Sequence, residues 1–139
     1  MLNEYTVQCQ ICNTLRRLNL FFFKITNEQK FKQSNPKAYA AKMKAEGFKS
    51  GAPDLAVLLP NGITVWLEVK RPAVMGIGKS GKPIIVQSAG KQSPAQEKFE
   101  QDVKLLGHYY FVVKTPQEAF AAIEQVKEET SSLKIGGTD

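Results

Sequence analysis

Long apolar runs are missing from this chain. No stretch, Leu20 to Phe23 included, approaches the roughly 20 residues needed to cross a bilayer, and no charged-then-apolar leader opens the sequence. The expectation is a cytoplasmic protein with no membrane partner. Cysteine and histidine are nearly absent too: there are Cys9 and Cys12, spaced C-x-x-C, and the single His108. A structural zinc site wants four N or S ligands, more than these supply. A thioredoxin-like pair would follow a strand and open a helix, whereas this pair falls inside a predicted helix. That leaves two reduced, partly buried thiols. With 139 residues, 42% hydrophobic and 23% charged, one domain can bury a core without disulfides.

Acidic residues are scarce in two stretches. Only Glu28 and Glu46 oppose the seven lysines from Lys24 to Lys49, and only Glu97 opposes the six basic residues from Lys70 to Lys98, while the chain from Pro116 onward is net acidic. Two basic blocks make either a polyanion-binding surface, because lysines against phosphates release counterions, or a merely solvated one.

Periodicity and punctuation predict the elements in order. Glu4 to Leu18 reads as a helix whose stripe Glu4, Gln8, Ile11, Leu15 and Leu18 begins polar and ends apolar. Leu20 to Ile25 is a short strand, Thr26 to Ser34 a polar connection, and Asn35-Pro36 opens a helix that Gly47 stops. Gly51 to Pro72 is a hairpin. Ala73 to Gln92, rich in Gly, Lys and Ser around Ile84-Ile85-Val86, is an excursion that can hold a small extra hairpin. Ser93-Pro94-Ala95-Gln96 starts a helix ending at Gly107, Tyr109 to Val113 is a strand, and Pro116 to about Lys127 is the last helix. Helix, strand, helix, strand, strand, helix, strand, helix makes a mixed α/β layer fold. Residues 1–127 form a single domain with the excursion at about 73–92 inserted, and 128–139 form a flexible tail.

The hairpin carries the chemistry. A three-residue loop, with Pro60 and Asn61 central to a type I turn and Gly62 left-handed, pairs Leu59 with Ile63 and sets Asp54 opposite Glu68. One face is then uniformly aliphatic: Leu55, Val57, Leu59, Ile63, Val65, Leu67 and Val69. The other collects Asp54, Ala56, Leu58, Thr64, Trp66, Glu68 and Lys70. Carboxylates opposite each other repel, and one lysine offsets only part of that. A hard divalent cation on Asp54 and Glu68, with the Val69 carbonyl as a third oxygen, would resolve the conflict. So would an ion pair of Lys70 with one carboxylate, the other being solvated.

These residues carry a family resemblance. Gly51-x-Pro53-Asp54-Leu55, Glu68-Val69-Lys70-Arg71-Pro72, Ser93-Pro94-x-Gln96 opening a helix, and Gly107 before a strand together resemble the virus-type replication-repair nuclease (VRR-NUC) domain of the PD-(D/E)XK superfamily. The resemblance covers roughly Glu4 to Glu124. It implies a restriction-endonuclease-like core, a mixed β-sheet flanked by helices, with Asp54 and Glu68 binding Mg²⁺ or Mn²⁺ and Lys70 at the hydrolytic water. It also implies site roles for Gln96 and Glu4. Ser93 with Gln96 is equally a capping box, and Glu4 equally a first-turn acid favourable to the helix dipole. Trp66 reads as packing under a helix rather than as a base-stacking surface.

By the same resemblance the function is a metal-dependent DNA endonuclease of DNA repair in a bacterial cell or phage-infected host. It would act as a homodimer on branched DNA such as a Holliday junction, with no organic cofactor. A nickase or restriction-like or flap endonuclease is the alternative among enzymes, and a non-cleaving nucleic-acid-binding module the alternative outside them. Lys49, Ser50, Arg71, Lys79, Lys82 and Lys91, drawn from the basic blocks, are the candidate DNA contacts. The excursion and the long basic stretch Thr26 to Gly47 depart from compact members of the family, and either suits a DNA-contacting arm or a dimer element.

Overall fold

Asn3 sets where the chain first coils. Its side chain accepts the Thr6 N–H at 2.8 Å, satisfying one of the donors a helix start leaves open, and helix α1 runs Glu4–Arg17. The computed structural model describes residues 2–25 and 35–136. The predicted connection Thr26 to Ser34 lies outside the described residues. Strand β1 is Phe21–Lys24, and helix α2, Pro36–Ala45, is capped by Asn35 and buries none of its residues. The hairpin follows as β2, Leu55–Leu59, and β3, Ile63–Val69. The excursion folds as a second hairpin, β4 (Val74–Ile77) with β5 (Pro83–Gln87). Helix α3 is Pro94–Leu105, β6 is Tyr109–Val113 and α4 is Pro116–Gly136.

Four strands form one mixed sheet in the order β1-β2-β3-β6, antiparallel but for the parallel pair β3 and β6. The β2–β3 register is the expected one, Leu59 opposite Ile63 and Leu55 opposite Leu67. The turn differs from the expected type I. Asn61 itself is left-handed, at φ 69, as is Gly62 at φ 75, and asparagine is among the few side chains that tolerate that region.

The aliphatic face of the hairpin packs under α1 and α4, with Val7, Ile11, Leu15, Ala119, Ala122, Ile123 and Val126 closing the core. Burying each of the larger aliphatic side chains contributes about 1.5–3 kcal/mol. This shifts the expected α1 stripe: Val7, Ile11 and Leu15 are the fully buried positions, because Val7 and not Gln8 has apolar surface to remove from water. Glu4 and Gln8 sit at the margin of that face. Helix α4 does not end near Lys127 but continues to Gly136. The sequence holds no glycine or proline between Pro116 and Gly136, and the Thr130 hydroxyl is absorbed by donating to the Val126 carbonyl one turn back, at 2.8 Å.

Candidate active site

Four chain segments meet at the open end of the β2–β3 hairpin. Asp54, just ahead of β2, turns its Oδ2 to accept the Val69 N–H at 2.7 Å. Its own backbone N–H donates to the Leu67 carbonyl at 3.1 Å. The segment before Asp54 lies hard against the start of α3: Gly51 has φ 83, and a Cβ there would fall 2.2 Å from the Ala95 carbonyl oxygen. Only glycine fits both the left-handed backbone and that approach.

Gln96 forms the expected capping box and also touches Glu68. Its Oε1 accepts the Ser93 N–H at 2.8 Å while Ser93 Oγ accepts the Gln96 N–H at 3.2 Å, the reciprocal capping box. The other end of the same amide, Nε2, donates to Glu68 Oε1 at 3.0 Å. The cap thus orients the amide, and the amide holds the carboxylate.

Glu68 is 1% exposed, and each of its oxygens accepts one neutral donor: Gln96 on Oε1, and on Oε2 the hydroxyl of Tyr110 at 2.8 Å. Burial, then the charge of Asp54 and a proton shared with it, push the Glu68 carboxyl up to about 8; the Tyr110 hydrogen bond and Lys70 pull the other way and lose. The Tyr110 hydroxyl is itself driven well above the usual tyrosine range, chiefly by burial and then by the Glu68 charge, so it stays a donor. The sequence did not single out Tyr110 as a site residue. It sits on β6 in register with Trp66, and alternation along parallel strands puts it on the Glu68 face. Trp66 is half-buried and lines a cleft with Phe48 and Phe99, its Nε1 without a hydrogen-bond partner among the described residues.

Lys70, 9% exposed, places its Nζ 3.7 Å from Glu4 Oε1. Glu4 is half exposed but reaches the site across the start of α1. Among the described residues Lys70 makes its ion pair with Glu4, not with Asp54 or Glu68, which leaves the carboxylate pair uncompensated by a cation at contact distance.

The donor set fits a hard divalent ion: two convergent carboxylates, one of them held in place by neutral donors, beside a backbone carbonyl. Among the described residues no group of three or more His, Cys, Asp or Glu side chains converges, so waters and substrate phosphate would complete the shell. Arg71 and Lys91 are exposed at the rim, Arg71 donating through Nε to the Ser88 carbonyl at 3.1 Å and Lys91 following Gly90, which packs on Lys70 and Arg71. Lys49 and Ser50 line a cleft with Ala95 and Lys98 next to the α3 start. Lys79 and Lys82 are brought elsewhere, to the far tip of the β4–β5 hairpin. The cysteines are free thiols outside the site; Cys12 is half-buried and Cys9, against expectation, is exposed because it falls on the solvent side of α1.

No family model matches the chain, and no curated protein does. Two solved structures match. One, described as "VRR_NUC domain", is 24% identical over 87% of this chain and 94% of that one, with a TM-score of 0.53. The other, a "VRR_NUC domain protein", is 24% identical over 90% of this chain and 88% of its own, with a TM-score of 0.55. The likeness shows the fold: a mixed sheet flanked by helices in the restriction-endonuclease-like arrangement.

Proposed function

We propose that this chain, which has the fold of VRR_NUC domain structures, is a divalent-metal-dependent nuclease that hydrolyses phosphodiester bonds in DNA. The observation that carries the reading is the pair Asp54 and Glu68 brought to one point beside a buried lysine, with Glu68 clamped by Gln96 and Tyr110. Removing a carboxylate this thoroughly from water opposes folding, and a phosphate-directed cation gives the arrangement a use.

Asp54, Glu68 and the Val69 carbonyl would hold Mg²⁺ or Mn²⁺. When bound, the ion supplies positive charge at the scissile phosphate and acidifies the attacking water. Gln96 and Tyr110 fix the Glu68 carboxylate so that its oxygens need not reorganise during the reaction. Lys70 orients the water and neutralises charge that builds on the phosphate, and Glu4 holds the Lys70 ammonium in place. The water oxygen bonds to phosphorus as its proton passes to solvent, one P–O ester bond breaks, and the departing sugar oxygen takes a proton from solvent to leave as a hydroxyl. Arg71, Lys91, Lys49 and Ser50 flank the site and suit the DNA backbone.

The finer reading is branched DNA cut by a homodimer, whose two-fold axis would match two sites to a junction. The exposed aromatic pair Phe21 and Phe23 on the sheet's edge strand supports a surface for a second copy. Labelled four-way junction, flap and linear duplex, incubated with Mg²⁺, Mn²⁺ or EDTA, test both levels. Symmetric, metal-dependent cuts in the junction that vanish in Glu68→Ala and slow by about 10²–10³ in Lys70→Ala are expected. Cuts confined to flap or duplex would discard the junction and keep the nuclease. Metal-independent binding without cleavage of any substrate would discard the nuclease.

A further inference from the structure

The β4–β5 hairpin leaves the molecule at the site, and among the described residues its strands make their main contacts with each other. Strand β3 ends at Val69, Lys70 and Arg71 follow, and Val74 begins the ribbon. Its base is tied down by Gln87, whose Nε2 donates to the carbonyls of Leu2 (2.8 Å) and Pro72 (3.0 Å), and by the Gly90 N–H bonded to the Arg71 carbonyl. The ribbon pairs Met75 with Ile85 and Ile77 with Pro83, so these four share one face. That face is apolar and open to solvent, with Ile77 81% and Ile85 63% exposed. An isolated two-stranded ribbon is marginal by itself, and an apolar stripe left in water marks a surface that meets something.

Charge says what it meets. From Arg71 to Gln96 there is no acidic residue, while Lys79 and Lys82 stand at the tip and Arg71 and Lys91 at the base. The arm therefore offers cations at both ends and an apolar face between them. Four strand residues at about 3.3 Å each extend it roughly 13 Å, and the major groove of B-DNA, about 12 Å wide, admits a two-stranded β-ribbon. We infer that the β4–β5 hairpin is a DNA arm. It lies in the major groove of the duplex beside the cleaved phosphate, with Lys79 and Lys82 on backbone phosphates and Met75, Ile77 and Ile85 against the base edges, where thymine methyls are the apolar partners. This rests on the nuclease reading and adds how the duplex is gripped.

The test is binding of the full chain to fluorescent duplex DNA in Ca²⁺, across a salt series, with Mg²⁺ cleavage by the wild type followed in parallel. Lys79→Ala with Lys82→Ala should lower the slope of log affinity against log salt by about 2, near 0.9 for each phosphate that is no longer neutralised. Ile77→Ser with Ile85→Ser should weaken binding about ten-fold at every salt concentration without changing the slope. Replacing thymine by uracil, which removes only the methyl groups, should weaken the wild type and leave the double isoleucine variant unmoved. Circular dichroism and melting check that each variant folds. Wild-type cleavage together with hairpin variants that bind like the wild type, or uracil DNA bound as tightly as thymine DNA, would overturn the arm. Binding that follows these predictions without cleavage would overturn the nuclease and keep the arm. Loss of self-association or of anionic-vesicle binding in the isoleucine variant, with DNA affinity unchanged, would hand the face to a second copy or a lipid surface.

Discussion

The two hairpins of this protein break the inside-outside rule in opposite directions. The β2–β3 hairpin is central and covered, yet it carries Glu68 and Lys70 into the interior. The β4–β5 hairpin stands clear of the core, yet it carries Met75, Ile77 and Ile85 outward. Each departure opposes stability: buried charge resists dehydration, and exposed aliphatic surface resists water. Places where a sequence works against its own fold are where function is expected. The two hairpins are joined by Lys70 to Ala73, which puts the Asp54 and Glu68 end of one at the root of the other.

Substitution should separate the hairpins most sharply in activity. Asp54→Asn or Glu68→Gln should abolish cleavage, and Lys70→Ala should slow it by about 10²–10³, the range for losing one preorganised charge-stabilising group, all measured as single-turnover rates on folded protein. In stability the contrast is between core and arm. Leu67→Ala, at a fully buried position, should lower unfolding free energy by about 2–5 kcal/mol, whereas Ile85→Ser should stay within about 0.5 kcal/mol, both by urea denaturation. Equal losses at the two positions would mean that the arm packs on the body in solution.

A smaller effect sharpens the view of the buried carboxylate. Folded Glu68 titrates at about 8, against 4.5 for an ordinary glutamate. A raised carboxyl means that the folded state holds the proton more tightly, so its contribution is fully present below pH 4.5 and is lost as pH rises toward about 8. The melting temperature in EDTA should therefore fall across that window. Glu68→Gln should flatten the fall, and Mg²⁺ should reverse it by favouring the ionised form. Smaller still, Tyr110→Phe should cost about 1.5 kcal/mol by leaving Glu68 Oε2 without its donor, with a weakened metal affinity that a purely structural tyrosine would not show.

Much of this is legible in the sequence because local rules set it. Alternation and the three-residue loop around Gly62 determine the β2–β3 register from Leu55 opposite Leu67 to Leu59 opposite Ile63, and Asp54, one residue beyond that register, comes close enough to raise the Glu68 carboxyl. Ser93 and Gln96 announce a helix start, and Gly107 its end. What is not legible depends on pairings that no turn encodes. Tyr110 reaches Glu68 only because β6 lies parallel to β3 with Trp66 beside Tyr110, a long-range register with no local signature. Of the expected α1 stripe only Ile11 and Leu15 are buried, and Val7 joins them in place of Gln8, because Val7 and Gln8 both lie near the same face and burial chooses the apolar one. The division of the Gln96 amide between cap and carboxylate needs coordinates, because either role alone explains the residue.

Mn²⁺ binding to the wild type and to Asp54→Asn, Glu68→Gln and Lys70→Ala, followed by electron paramagnetic resonance of the free ion, is the most direct test that the buried pair is a metal site. The expected result is binding by the wild type and Lys70→Ala that is lost in both carboxylate variants. Mn²⁺ bound equally well by Asp54→Asn and Glu68→Gln would contradict it.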